Sequence, residues 1–109
     1  MFARVIRWPN LKPEAIRDFQ EVTLPRVRQL SGFEGALLLV DRGTGSAITI
    51  GFWDTEKDMH ASEELANRGR SRDVELGLAK ESQLVEPYEV AVRVQTSPNA
   101  LGIVGKFFS

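Results

Sequence analysis

The sequence predicts an α+β domain of order βαββαβ, a four-stranded antiparallel sheet with helices on one face. Three observations predict it. The stretch from Phe33 to Trp53, FEGALLLVDRGTGSAITIGFW, holds two apolar, partly β-branched runs separated by the turn formers Asp41 to Ser46, which is the pattern of an antiparallel hairpin. Segments of period two stand near both ends of the chain, at Phe2 to Trp8 and Gln83 to Val94. Between each of them and the hairpin, apolar residues recur at spacings of three and four, the mark of a helix with one buried stripe.

The first strand divides into Phe2/Arg4/Ile6/Trp8 and Ala3/Val5/Arg7, and Pro9 with Asn10 stops it. Pro13 suits the first turn of a helix, along which Ile16, Phe19, Thr23, Val27 and Leu30 form the inner stripe. Pro25 has no amide to donate, so the helix is expected to kink near Glu21 to Thr23, and Gly32 is expected to stop it. In the hairpin the apolar runs are broken only by Thr49 and Gly51, so both faces of the sheet are expected to be covered. A chain of 109 residues has few elements left for a second cover, and a partner subunit is the economical source.

Thr55 and Asp58 form a capping box with Asp in place of Glu, opening a second helix. Its inner face, Met59, Ser62, Leu65, Ala66 and Gly69, is mostly small, so the helix either packs close to the sheet or leaves a pocket. The run Asn67 to Arg72 is expected to break it around Gly69, before Val74, Leu76, Leu78 and Ala79 resume. Pro87 places the last strand at an edge or a bulge. Arg4 and Arg93 interrupt apolar strands; the structural expectation is that Glu89 neutralises one across the ladder, the functional one that they bind an anion. The domain is expected over residues 1–95, with 96–109 a tail that is disordered or packed on the partner subunit.

A formal net charge of -1 gives no basic excess for a nucleic-acid footprint. Ala47 to Trp53 also lacks the basic-aromatic pattern that RNA-recognition domains carry on their third strand. Cysteine is absent, which removes disulfides, thiolate metal sites and thiol catalysis and suits a reducing compartment. With one histidine and no cysteine, no metal site is expected. No stretch has the length of a membrane span and the N-terminus lacks the apolar core of a signal peptide, so a cytoplasmic location is the default expectation.

The order strand, helix, hairpin, helix, strand is the ferredoxin-like one. Within it, the run ITIGFWDTEKDMHASEELA, an apolar third strand ending in Trp and Asp and passing directly into a charged helix, resembles the antibiotic-biosynthesis-monooxygenase (ABM) domain family. The phrase LPRVRQLSGFEGALLL is similar too, with a Gly-Phe pair between the first helix and the second strand. The resemblance covers about Phe2 to Val94. It implies a dimeric α/β barrel, a homodimer through the sheet faces, and a small-molecule ligand held between sheet and helices, here against Phe19, Thr23, Phe52, Met59 and Leu65. It also implies a cofactor-independent monooxygenase acting on a small apolar or phenolic substrate, or a non-catalytic dimeric module that binds or senses a small molecule.

Two residues are candidates for chemistry on this reading. Trp53 matches the tryptophan that the family often keeps at the end of the third strand, and its indole could donate to a substrate oxygen; the alternative is that it packs the strand–helix corner. His60 is near enough in sequence to act as general base, its ordinary pKa lying near neutrality; the alternative is a surface residue whose charged form the helix N-terminus disfavours. The arginines Arg68, Arg70 and Arg72 either hold an anionic substrate at the cavity mouth or form a solvated face among Glu63, Glu64, Asp73 and Glu75. Haem-degrading members use an Asn on the first strand and a His further along the second helix. FARVIRW has no Asn and no His follows His60, so no haem cofactor is expected.

Overall fold

The computed structural model describes residues 1–78 and 84–94. Strands β1 (Phe2–Trp8), β2 (Phe33–Val40), β3 (Ala47–Trp53) and β4 (Leu84–Glu89) form one antiparallel sheet in the order β2-β3-β1-β4. This is the predicted ferredoxin-like arrangement, with all helices on one face. The expected tail and Ala79 lie outside the described residues, while Leu76 and Leu78, expected to continue the second helix, follow its last helical residue, Glu75.

Asp41 shapes the hairpin turn. Its Oδ1 accepts from the amides of Gly43 at 2.9 Å and Thr44 at 3.3 Å, and its backbone exchanges bonds with Ser46 and Gly45. Such local bonding favours Asp in a turn over any strand position. At the other end of β2 the register against β3 slips by one between Phe33 and Gly35, a bulge that leaves Glu34 unpaired.

The first helical segment is built in three pieces. Helix α1 (Glu14–Asp18) passes into a wide π turn at Phe19–Thr23, where the amide of Leu24 reaches back five residues to the carbonyl of Phe19, and α2 (Leu24–Val27) follows. The missing amide of Pro25 explains this: a regular ladder would leave a carbonyl without its donor, and widening the preceding turn redistributes the bonds. The kink expected at Glu21 to Thr23 is thus a π turn that begins slightly earlier. The helix ends at Val27, before Gly32, and single turns bring the chain to β2.

Helix α3 (Glu56–Ala61) opens as predicted. Thr55 Oγ1 accepts from the amide of Asp58 at 3.0 Å and stands 2.9 Å from its Oδ2. Replacing Thr55 by alanine is expected to cost about 1 kcal/mol, readable in urea denaturation, because an orphan amide loses its partner.

The break in the second helical segment falls at Ser62 and not around Gly69, through which α4 (Glu63–Glu75) runs without interruption. Arg4 is the cause. Its guanidinium donates to Ser62 Oγ at 2.8 Å and to the carbonyl of Met59, which also accepts from Ser62 Oγ at 2.6 Å. A carbonyl drawn to these donors is lost to the helix ladder. Helix α4 closes in a Schellman motif, the amide of Leu78 donating to Asp73 and that of Gly77 to Val74, with Gly77 at φ +71°.

Two strand expectations need correction. The last strand stops at Glu89: Val90 makes the final backbone bond, to Met1, and residues 91–94 are exposed outside the sheet. Pro87 does sit on an edge strand, opposite Arg4, and because the Val90 amide points to β1 the Pro87 nitrogen points outward, where no donor is needed. Glu89 pairs in register with Phe2 and neutralises neither arginine; Arg93 lies against Met1 Sδ at 3.8 Å.

The packed core sits under one end of the sheet, where Trp8, Leu11, Ala15 and Ala47 meet Ile6, Leu38 and Val40. The opposite face of the sheet is left open by the described residues. Leu37 and Leu39 are each 46% exposed there, and the register sets Ile50 and Ile48 beside them. The expectation that both faces are covered therefore holds for one face within the single chain.

Candidate functional site

Next to the core, between the helix-side face of the sheet and the helices, lies a cavity of about 120 Å³. Its helical wall comes from Phe19, Thr23, Val27 and Leu30, the stripe read from the sequence, and from Leu65 and Gly69 of α4. The sheet contributes Trp8, Thr49, Gly51 and Trp53, alternate residues that share one face. The small inner face of α4 thus leaves a gap, as one of the two sequence readings required.

Trp53 is 2% exposed and packs edge-on against Phe33 with ring centroids 5.4 Å apart. Its Nε1 is buried and has no acceptor among the described residues. Trp8, by contrast, donates from Nε1 to Thr49 Oγ1 at 3.1 Å.

The remaining predicted residues divide. Phe19, Thr23 and Leu65 line the cavity; Phe52 and Met59 do not. Phe52 neighbours Trp53 on a strand, so its side chain takes the opposite face of the sheet. Met59 is buried beside the cavity, where its carbonyl serves Arg4. His60 stands on the outer side of α3, half exposed, 3.4 Å from Glu56 and 3.3 Å from Glu63, and does not reach the cavity. One residue past the buried Met59 is a turn of about 100° on a helix, enough to send His60 into solvent. Hydrogen bonds to Glu63 and then Glu56 raise its pKa, opposite to the expected effect of the helix N-terminus.

The arginine run separates into three fates. Arg68 pairs with Glu64 at 3.1 Å in solvent, and Arg72 bridges to Asp18 of α1 at 2.6 Å. Arg70 alone turns to the cavity, and its Nη1 is buried with no partner among the described residues. Asp73 and Arg4 also line the cavity. Sequence reasoning named Arg70 only as one of three arginines and missed Asp73, although the signal was there: extending the stripe Ser62, Leu65, Ala66, Gly69 by one step of three or four reaches both.

Burial pushes the Asp73 carboxyl up to about 6, helped by the charge of Asp18 and a hydrogen bond between the two, and opposed by Arg72. An acid raised in this way stabilises the fold fully below the unfolded value, about 3.9. That contribution is lost as pH climbs to about 6, because the unfolded chain gives up its proton first. Asp73→Asn is therefore expected to be more stable than the parent at pH 7.5, by about 1 kcal/mol after allowing for solvent screening of a half-buried group. The difference should vanish near pH 4 in paired urea titrations.

No family model matches the chain. Two curated relatives, the uncharacterized proteins MT2634 and Rv2557 of Mycobacterium tuberculosis, are each 32% identical over 87 residues, 80% of this chain. The chain spans only 38% of their length. Among solved structures, the ActVA-Orf6 monooxygenase of Streptomyces coelicolor, in complex with nanaomycin D, superposes with a TM-score of 0.70 at 13% identity, covering 88% of this chain and 92% of that one. A variant of MhuD with two manganese protoporphyrin IX bound per active site gives 0.64 at 18% identity, over 88% and 100% of the two chains. An antibiotic biosynthesis monooxygenase gives 0.58 at 19%, over 84% and 100%. The ferredoxin-like fold of the single chain is thus the one that the resemblance implies, and the chain has the fold of the antibiotic biosynthesis monooxygenases.

Proposed function

We propose that the protein is a homodimeric, cofactor-independent monooxygenase of the ABM type, whose small apolar or phenolic substrate occupies the cavity between sheet and helices. The observation that carries this reading is the cavity itself, apolar over most of its wall and bordered by Trp53, whose buried Nε1 has no acceptor among the described residues. A phenol bound there loses its proton, and the electron-rich ring then reduces dioxygen. One oxygen atom stays on a ring carbon as the quinone oxygen, the other leaves as water with the displaced hydrogens, so substrate supplies all the electrons. Asp73 lines the cavity with a carboxyl raised to about 6, and turning from Asp18 it takes the phenolic proton that His60, outside the cavity, does not reach. The second subunit covers the open face that carries Leu37 and Leu39.

A non-catalytic module that binds or senses a small molecule is the second reading. The position of His60 outside the cavity favours it, because the base expected from the sequence is missing from the site. Oxygen uptake with a panel of phenols and hydroquinones separates the two. The parent is expected to turn over at least one of them, and Trp53→Phe to lose about tenfold or more in rate by removing the donor. Tight binding with no uptake by the parent leaves the module.

A further inference from the structure

The cavity has a cationic pole that nothing among the described residues satisfies. Arg4 is 7% exposed, and its hydrogen bonds go to two neutral oxygens, Ser62 Oγ and the carbonyl of Met59. Arg70 reaches the same cavity from α4 with Nη1 buried and without a partner among the described residues, and Trp53 adds a second donor in the same condition. A guanidinium removed from water is normally paired with a carboxylate, since its desolvation is otherwise uncompensated. Among the described residues the only carboxylate whose charge acts on both arginines is Glu63, an exposed residue engaged with His60 at 3.3 Å and hydrogen-bonded to neither arginine. Asp73, the acid in the cavity wall, is turned to Asp18 and Arg72.

We infer that the missing partner is the ligand: an apolar ring system bearing a carboxylate, held by Arg70 and the Trp53 indole beside Arg4. This rests on the proposed use of the cavity and narrows its substrate to organic anions. The planar fork of Arg70 suits the two oxygens of a carboxylate, and an anion there also offsets the repulsion between the two guanidiniums. Burial lowers the pKa of both arginines, the mark of cations held in a poorly solvated place without full compensation. Neither orphan nitrogen is open to solvent as it stands. The ligand therefore displaces a neighbouring side chain as it enters, a rotamer change of the size common on binding.

The test is calorimetric titration at pH 7.5 with benzoate, cinnamate and 1-naphthoate, each beside its own amide, which keeps shape and loses the charge. At least one carboxylate is expected to bind about tenfold more tightly than its amide, the scale of one charge-assisted hydrogen bond. Arg70→Met should close that gap with little change in amide affinity, and Trp53→Phe should narrow it; circular dichroism checks that both variants fold. Arg4 is left in place because it also joins α3 to β1. Equal affinities, tighter binding of the amides, no binding of any carboxylate, or a gap that survives both variants would overturn the inference. Carboxylate binding without oxygen uptake from phenols would instead leave it standing and remove the oxygenase reading.

Discussion

Gly32→Ala is expected to be the most damaging small substitution in the chain, lowering stability by about 2–4 kcal/mol in urea denaturation. Two independent costs fall on one atom. Gly32 lies at φ +78°, in the left-handed region that alanine adopts only with strain. A Cβ there would come within 2.7 Å of both Cβ and Cγ of Asp58. Asp58 supplies the amide that Thr55 caps, so it has little room to withdraw without opening the first turn of α3. The Gly32 carbonyl also accepts from the Asp54 amide at 2.7 Å, which ties the start of β2 to the end of β3 beside Trp53. A loss below 0.5 kcal/mol would show that the α3 cap relaxes freely.

The double variant Leu37→Asp, Leu39→Asp is expected to convert the proposed dimer to a folded monomer at micromolar concentration. The two leucines project from the open face, 46% exposed, and take no part in the core around Trp8. Two-fold symmetry would bring four new carboxylates into one apolar contact. Each would have to be desolvated at a cost of several kcal/mol, and Arg7, which the register sets beside Ile48 on that face, is already paired with Glu86. Affinity should fall by at least about a thousandfold. Light scattering with size-exclusion chromatography reads the change, and circular dichroism checks the fold. A parent that is already a stable monomer under these conditions would remove the homodimer from the proposal.

Legibility of the site varied with the kind of signal. Phe19, Thr23 and Leu65 were legible because helical periodicity alone sets which face they occupy. Trp53 and Phe52 sit next to each other on one strand, and alternation sends them to opposite faces; grouping them as one pocket ignored that period. His60 was chosen for its chemistry and its nearness in sequence, but on a helix the next residue along points elsewhere. Arg68, Arg70 and Arg72 look like one charged patch in the sequence, yet steps of two along a helix carry them to different sides.

By itself the sequence determined the order of elements, the hairpin with its Asp41 turn, the Thr55 cap and the disturbance ahead of Pro25. Each of these is set by bonds and sterics among residues a few positions apart. Only the tertiary structure decided that Arg4 reaches from β1 to Ser62, breaking the second helical segment there and not at Gly69. It alone decided that Arg70 and Trp53 meet the cavity with donors that have no partner among the described residues, while Asp73 turns to Asp18. Hydrogen bonding and desolvation between residues as far apart as Arg4 and Ser62 depend on how the layers come together, and no local pattern encodes that distance.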